Sequence, residues 1–149
     1  SKFSDGGRNA VIWNGPSSIT TEENFTVFNF QSLLANRNTT VANAQMLLVL
    51  KYIDKNYMYD ISLDKLADIA GYSKYHFSRI FKQYNNMSYL QYINARRTKA
   101  AELLLLDPNI PITEVAMRSG FKSLTTFNRI FKEIKHCTPT DFKKLYALR

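Results

Sequence analysis

The side chains able to do chemistry in this sequence gather in two matching stretches, and their types suit recognition of an anion more than catalysis. Residues 71–82 read Gly-Tyr-Ser-Lys-Tyr-His-Phe-Ser-Arg-Ile-Phe-Lys, and residues 120–132 read Gly-Phe-Lys-Ser-Leu-Thr-Thr-Phe-Asn-Arg-Ile-Phe-Lys. In each, Phe77, Ile80 and Phe81, or Phe127, Ile130 and Phe131, take one helical face and are predicted core. Tyr75, Ser78 and Arg79 fall away from that face, as do Leu124, Thr125, Asn128 and Arg129. Lys74, Lys82, Lys122 and Lys132, with Ser73, Ser123 and Thr126 near the helix starts, are donors suited to phosphate oxygens. Catalytic chemistry finds no comparable set: no Ser/His/Asp combination and no paired carboxylates occur at meaningful spacing. His76 and His136 stand far apart with one cysteine, Cys137, which argues against a metal site. No cofactor is expected.

The elements that position these residues repeat as well. Leu63, Leu66, Ala67 and Gly71 pair with Ile112, Val115, Ala116 and Gly120 at an offset of 49; Phe77, Arg79, Ile80, Phe81 and Lys82 pair with Phe127, Arg129, Ile130, Phe131 and Lys132 at 50. One residue has therefore entered the second copy. Two copies are too few for a solenoid, so two similar modules are predicted, at about 62–84 and 111–134. Leu63, Leu66, Ala67 and Ala70 follow i, i+3, i+4, i+7, the period of a short helix. Ser62 suits its N-cap, Asp64 suits the positive end of its dipole, and Gly71 suits a left-handed stop. Ser73 suits the next cap, and the small Ala67 permits a close helix crossing. Helix, glycine-bearing turn and a second helix with exposed Lys, Arg, Ser and Thr make a helix-turn-helix, whose second helix enters a DNA major groove.

Around the modules, Val11 to Trp13, the turn Asn14-Gly15-Pro16 and the run from Phe25 to Phe30 predict a strand pair in an N-terminal extension, residues 1–40. A helix is predicted at about 41–57, apolar at Val41, Ala44, Met46, Leu47, Leu48, Leu50, Ile53 and Tyr57. A long linker helix follows at about 88–106, carrying Leu90, Ile93, Arg96, Arg97, Lys99, Ala100, Leu103 and Leu104 and stopped by Asp107-Pro108-Asn109. Its 19 residues would span roughly 28 Å, close to one turn of duplex. Pro111 suits the first position of the next helix, and Thr138-Pro139-Thr140-Asp141 reads as cap, N1 proline and N3 carboxylate of a last helix. The fold class is mainly α, with residues 41–149 as the DNA-binding domain.

Charge supports a polyanion partner. The 149 residues carry a net charge of +8. Residues 1–50 hold Lys2, Arg8 and Arg37 against Asp5, Glu22 and Glu23, so all the excess falls beyond residue 50. Such a surface attracts nucleic acid. No run of 18 apolar residues predicts a membrane span and no signal peptide opens the chain. A single cysteine excludes an internal disulfide and fits a cytoplasmic location.

The succession of modules, with Gly71-Tyr72-Ser73 through Phe81-Lys82, then Ile112-Thr113-Glu114-Val115-Ala116 through Thr138-Pro139-Thr140-Asp141-Phe142, resembles the AraC/XylS family of bacterial transcription regulators over about 51–144. Tyr75, where relatives often carry tryptophan, and Cys137-Thr138, in place of an apolar-Thr or apolar-Ser pair, depart from it. The resemblance implies double-stranded DNA as partner and, for an activator, RNA polymerase; it puts Tyr75, Ser78, Arg79, Leu124, Thr125, Asn128 and Arg129 at base edges. Phosphate contact or an internal ion pair remains open for Arg79 and for Arg129. The alternative function is a helical module for protein or RNA that reads no duplex sequence. Gly6-Gly7-Arg8-Asn9-Ala10 through Trp13-Asn14-Gly15, with Ala42-Asn43-Ala44-Gln45-Met46 to Lys51-Tyr52, resembles a fragment of the VirB4-type conjugative transfer ATPases. It lacks a Gly-x-x-x-x-Gly-Lys-Ser/Thr phosphate loop, so no ATP hydrolysis is expected.

Overall fold

Seven helices follow one another in the computed structural model, which describes residues 40–148: α1 (Thr40–Asn56), α2 (Leu63–Ala70), α3 (Lys74–Asn85), α4 (Tyr89–Leu105), α5 (Ile112–Arg118), α6 (Leu124–Lys135) and α7 (Pro139–Tyr146). The strand pair expected before residue 40, and most of the segment resembling a transfer ATPase, lie outside the described residues. No strand occurs among the described residues. The chain divides into two compact units, with the boundary after Asn94, inside α4.

In the unit up to residue 94, α1 packs on α2 and α2 on α3. Met46, Val49, Leu50 and Ile53 recur on one face of α1, and Leu66, Ala67 and Ala70 on one face of α2; all are buried. The aromatic pairs Phe77–Phe81, Phe77–Tyr89 and Phe81–Tyr92, each with centroids 5.8 Å apart, join α3 to the start of α4. Burying one phenylalanine side chain contributes about 1.5–3 kcal/mol, so Phe77 and Phe81 hold α3 in place more strongly than any surface contact. In the unit from residue 95, Ala101, Leu105, Val115, Ala116, Phe121, Phe127, Ile130, Phe131 and Phe142 form the core. Phe121, Phe127, Phe131 and Phe142 make a chain of ring contacts, 5.0, 5.6 and 5.5 Å between centroids, that ties α7 to α6. Two further bonds close this unit: Lys143 Nζ donates to the Ile110 carbonyl at 2.7 Å, and the Leu148 amide donates to the Leu106 carbonyl at 2.8 Å.

Local chemistry sets the boundaries. Ser62, Ser73, Ser123 and Thr138 each accept a hydrogen bond from the amide three residues on, which satisfies a donor that the first helical turn leaves open. Ser88 and Gln91 cap reciprocally: the Gln91 amide donates to Ser88 Oγ at 3.1 Å and the Ser88 amide to Gln91 Oε1 at 2.8 Å. Ser88 is thus the cap of α4, which runs 17 residues, and not its first turn. Asn86 and His136 end α3 and α6 in the left-handed conformation, at φ 58° and 64°, one module apart in sequence. Asparagine tolerates that region and histidine enters it more often than most residues.

The structure corrects several expectations. Pro111 is not in the first turn of α5 but immediately before it, as an N-cap at φ −62° and ψ 151° without a side-chain hydrogen bond. Ile80 is only half-buried, whereas its counterpart Ile130 is buried. Leu48, Leu90 and Leu103, apolar positions of α1 and α4, point to solvent. Ala44 is exposed too.

Candidate nucleic-acid interface

Each module builds one exposed helix face on a turn. In the first, the Gly71 amide donates to the Ala67 carbonyl at 2.9 Å and the Tyr72 amide to the same carbonyl at 3.0 Å. Gly71 takes φ 79°, which L side chains rarely adopt, and a Cβ there would meet the Gln45 side-chain amide at 3.0 Å. In the second, the Phe121 amide donates to the Ala116 carbonyl at 3.0 Å and Gly120 takes φ 102°. The bond from Tyr72 and the bond from Phe121 match at the offset of 49, and the caps Ser73 and Ser123 match at 50. The extra residue is therefore Lys122, which is exposed between the buried Phe121 and the cap.

From each turn a 12-residue helix projects. Along α3, Phe77 and Phe81 face the core, and Lys74, Tyr75, Arg79 and Lys82 face solvent with Ser78 partly covered. Along α6, Phe127, Ile130 and Phe131 face the core, and Leu124, Thr125, Asn128, Arg129 and Lys132 face solvent with Thr126 partly covered. Every residue expected at a base edge thus shares its helix's outward side, and Ser73, Lys74, Lys122, Ser123 and Thr126 gather at the N-terminal ends. There the free amides and the positive end of the helix dipole also favour an anion.

Neighbours hold several of these side chains. Lys74 Nζ lies 3.3 Å from Asp64 Oδ1, between the start of α3 and the first turn of α2. The Arg79 guanidinium sits over the ring of Tyr75, 5.4 Å from its centroid, and Tyr75 itself is 76% exposed. Arg129 Nη1 donates to Glu133 Oε2 at 3.5 Å. Ser123 Oγ donates to Thr126 Oγ1 at 3.0 Å and accepts from the Thr126 amide at 3.1 Å. Sequence reasoning missed Asp64 as an ion-pair partner, the ring beneath Arg79, and Glu133. The i, i+4 spacing of Arg129 and Glu133 was the available signal for the last.

The remaining reactive groups take no part in this face. Burial pushes the Cys137 thiol above its ordinary pKa; Lys135 opposes the shift, and Asp141 and Glu102 add to it. A thiol shifted that way is a poor nucleophile near neutrality. Lys135 Nζ and Glu102 Oε2 form a largely buried pair at 3.1 Å. Among the described residues no group of His, Cys, Asp and Glu gathers to hold a metal ion, and no helix is long and apolar enough to cross a membrane.

A helix-turn-helix domain family model matches residues 66–145, more than half of the chain. A probable transcription factor, PqrA of Proteus vulgaris, is 37% identical over 84 residues, 56% of this chain and 69% of that protein. The bifunctional transcriptional activator and DNA repair enzyme AdaA of Bacillus subtilis (strain 168) is 34% identical over 98 residues, 66% of this chain but only 46% of AdaA. Among solved structures, the C-terminal domain of AraT, a response regulator from Geobacillus stearothermophilus, superposes with a TM-score of 0.65 at 25% identity, covering 70% of this chain and 88% of that one. The DNA-binding domain of the global transcriptional factor AdpA, solved in complex with a target DNA, has the same fold, with a TM-score of 0.63 at 24% identity over 68% of this chain and 91% of that one.

Proposed function

The chain belongs to the AraC/XylS-type helix-turn-helix family, and from that premise we propose that it is a sequence-specific double-stranded DNA-binding transcription regulator that inserts α3 and α6 into successive major-groove segments. One observation carries this reading: two helices built on matching turns and caps bury the same two phenylalanine positions and turn outward the side chains that can read or grip a duplex. Arg79 and Arg129 carry the planar fork that pairs with guanine O6 and N7, Asn128 has the donor and acceptor that match adenine N6 and N7, and Leu124 and Thr125 offer methyl groups to a thymine methyl. Tyr75 and Ser78 complete the first reading edge. Lys74, Lys82, Lys122 and Lys132, with Ser73, Ser123 and Thr126, take the phosphates, whose contacts fix register without reading sequence.

The two edges differ, Tyr75-Ser78-Arg79 against Thr125-Asn128-Arg129, so the bound site should be two unlike blocks about ten base pairs apart and not a palindrome. The protein then acts in the bacterial cytoplasm, with RNA polymerase as a further partner if it activates. Selecting bound duplexes from a random pool tests the reading directly. The expected result is a two-block consensus, with affinity falling with salt at a log–log slope of about −0.9 per phosphate for about 4 to 8 contacts. A pool that stays random, or a flat salt response, would overturn it and leave a protein- or RNA-binding module.

A further inference from the structure

Arg79 and Arg129 occupy equivalent places on the two exposed faces, yet each is held by a different neighbour. Arg79 lies over the Tyr75 ring, and the residue four positions on, Gln83, is exposed and neutral. Arg129 donates instead to Glu133, its neighbour at four positions, which is the counterpart of Gln83. The Glu133 side chain is 61% exposed. An exposed pair of this kind adds little to stability, and a carboxylate on a face that meets a polyanion works against binding.

Resting on the DNA-reading assignment above, we propose that Glu133 is a specificity-determining residue that suppresses non-specific duplex binding by the second module. A guanidinium has five N–H donors in a fixed fork. With one donated to Glu133, the others remain available to guanine O6 and N7. A phosphate approaching the same guanidinium must come close to the carboxylate, and that repulsion grows where the complex excludes water. A non-specific complex consists of phosphate contacts, so it bears the full repulsion, whereas a matched site recovers it through the base contact. Selectivity then comes from penalising the wrong partner, a route open to any binding surface. The first module, with Gln83 at this position, lacks the penalty.

The experiment compares the intact protein with Glu133→Gln and Gln83→Glu, titrating each against the selected duplex and a random-sequence duplex across a salt series. Glu133→Gln is expected to bind the random duplex about threefold or more tightly, with a log–log salt slope steeper by about 0.9, the increment of one further neutralised phosphate. The selected duplex should change less, so the specificity ratio falls. Gln83→Glu should weaken the random duplex. Both positions are exposed, and circular dichroism checks that the variants fold. Equal tightening on both duplexes would reduce Glu133 to its share of net charge, an unchanged ratio and slope would put it off the binding surface, and a loss confined to the selected duplex would make it a base reader; each overturns the proposal. Failure of the DNA-reading assignment shows separately, as an unsubstituted protein that does not distinguish the two duplexes.

Discussion

Replacing Arg79 and Arg129 one at a time by alanine separates base reading from phosphate anchoring. Neither change should unfold the chain. Arg79 stacks on an exposed tyrosine at 5.4 Å, and an exposed cation–π contact contributes about 0.5–1 kcal/mol. Arg129 pairs with Glu133 at 3.5 Å with both side chains about 60% exposed, an i, i+4 pair worth about 0.3–0.5 kcal/mol. A bidentate arginine–guanine contact discriminates by about 1–3 kcal/mol, or roughly 5- to 150-fold in affinity. The expected effect on recognition therefore exceeds the effect on folding. The assay is competition binding against duplexes carrying each base in turn, block by block. Arg79→Ala should flatten the preference in one block and leave the other intact, and Arg129→Ala should do the reverse. Uniform weakening on all sequences would make both arginines phosphate anchors and refute the assignment. Loss of preference with Arg79→Ala alone would make the second module a structural support.

Deleting residues 1–38, which together carry no net charge, should leave duplex affinity within about tenfold, or 1.4 kcal/mol; a larger loss from a folded deletion, read by fluorescence anisotropy, would assign them to the binding surface. Gly71→Ala forces a Cβ into φ 79° against Gln45 at 3.0 Å and should cost about 1–2 kcal/mol; a melting temperature like the parent's would show that the turn relaxes. Cys137, its pKa raised by burial, should alkylate at pH 8 more slowly than a free thiol and speed up in urea. The sign follows because the fold holds that proton longer than the unfolded chain does: the stability so gained is lost as pH climbs through the folded value. Phe127→Ala, which removes a fully buried ring, should cost about 3–5 kcal/mol in chemical denaturation, and Leu103→Ala, at a surface position, close to nothing.

The sequence makes the modules legible because duplicated burial leaves a duplicated pattern. Leu66, Ala67, Phe77 and Phe81 recur as Val115, Ala116, Phe127 and Phe131, and all eight are buried. Other features left a weaker trace. Proline fixes φ near −65°, which suits both an N-cap and a first helical residue; Pro111 is assigned to the cap by its ψ of 151°, and ψ is not fixed by residue type. Leu48, Leu90 and Leu103 fit an apolar reading of α1 and α4, yet helical spacing alone does not say which of two apolar faces meets a core. Buried polar residues were invisible for the opposite reason. Ser119 is buried because its hydroxyl donates to the Val115 carbonyl at 2.7 Å, and Asn85 because its amide donates to the Phe81 carbonyl at 3.1 Å. Each donates to the backbone carbonyl four residues back, and Asn85 Oδ1 is left without a hydrogen-bond partner. Arg96 and Thr98 are buried in α4, where the sequence offers only residue types that usually face water.

Duplication with divergence on the outward faces has a consequence for the kind of site such a chain can read. A symmetric dimer presents one reading edge twice and so matches an operator with the same symmetry. Here both helix-turn-helix units are in one polypeptide, so nothing requires the two edges to agree. The structure keeps in common what folding needs: the alanine at the turn, the glycine with positive φ, the serine cap, the two phenylalanines and the left-handed residue that ends each outward helix. It varies what solvent meets: Lys74 against Leu124, Tyr75 against Thr125, Ser78 against Asn128, Gln83 against Glu133, and the added Lys122. Core positions resist change because packing errors cost several kcal/mol, whereas exposed substitutions away from special features usually change stability by no more than about 0.5 kcal/mol. Recognition could therefore diverge between the copies at almost no cost to the fold, and Arg79 and Arg129, the two proposed readers that stayed alike, differ now in what holds them.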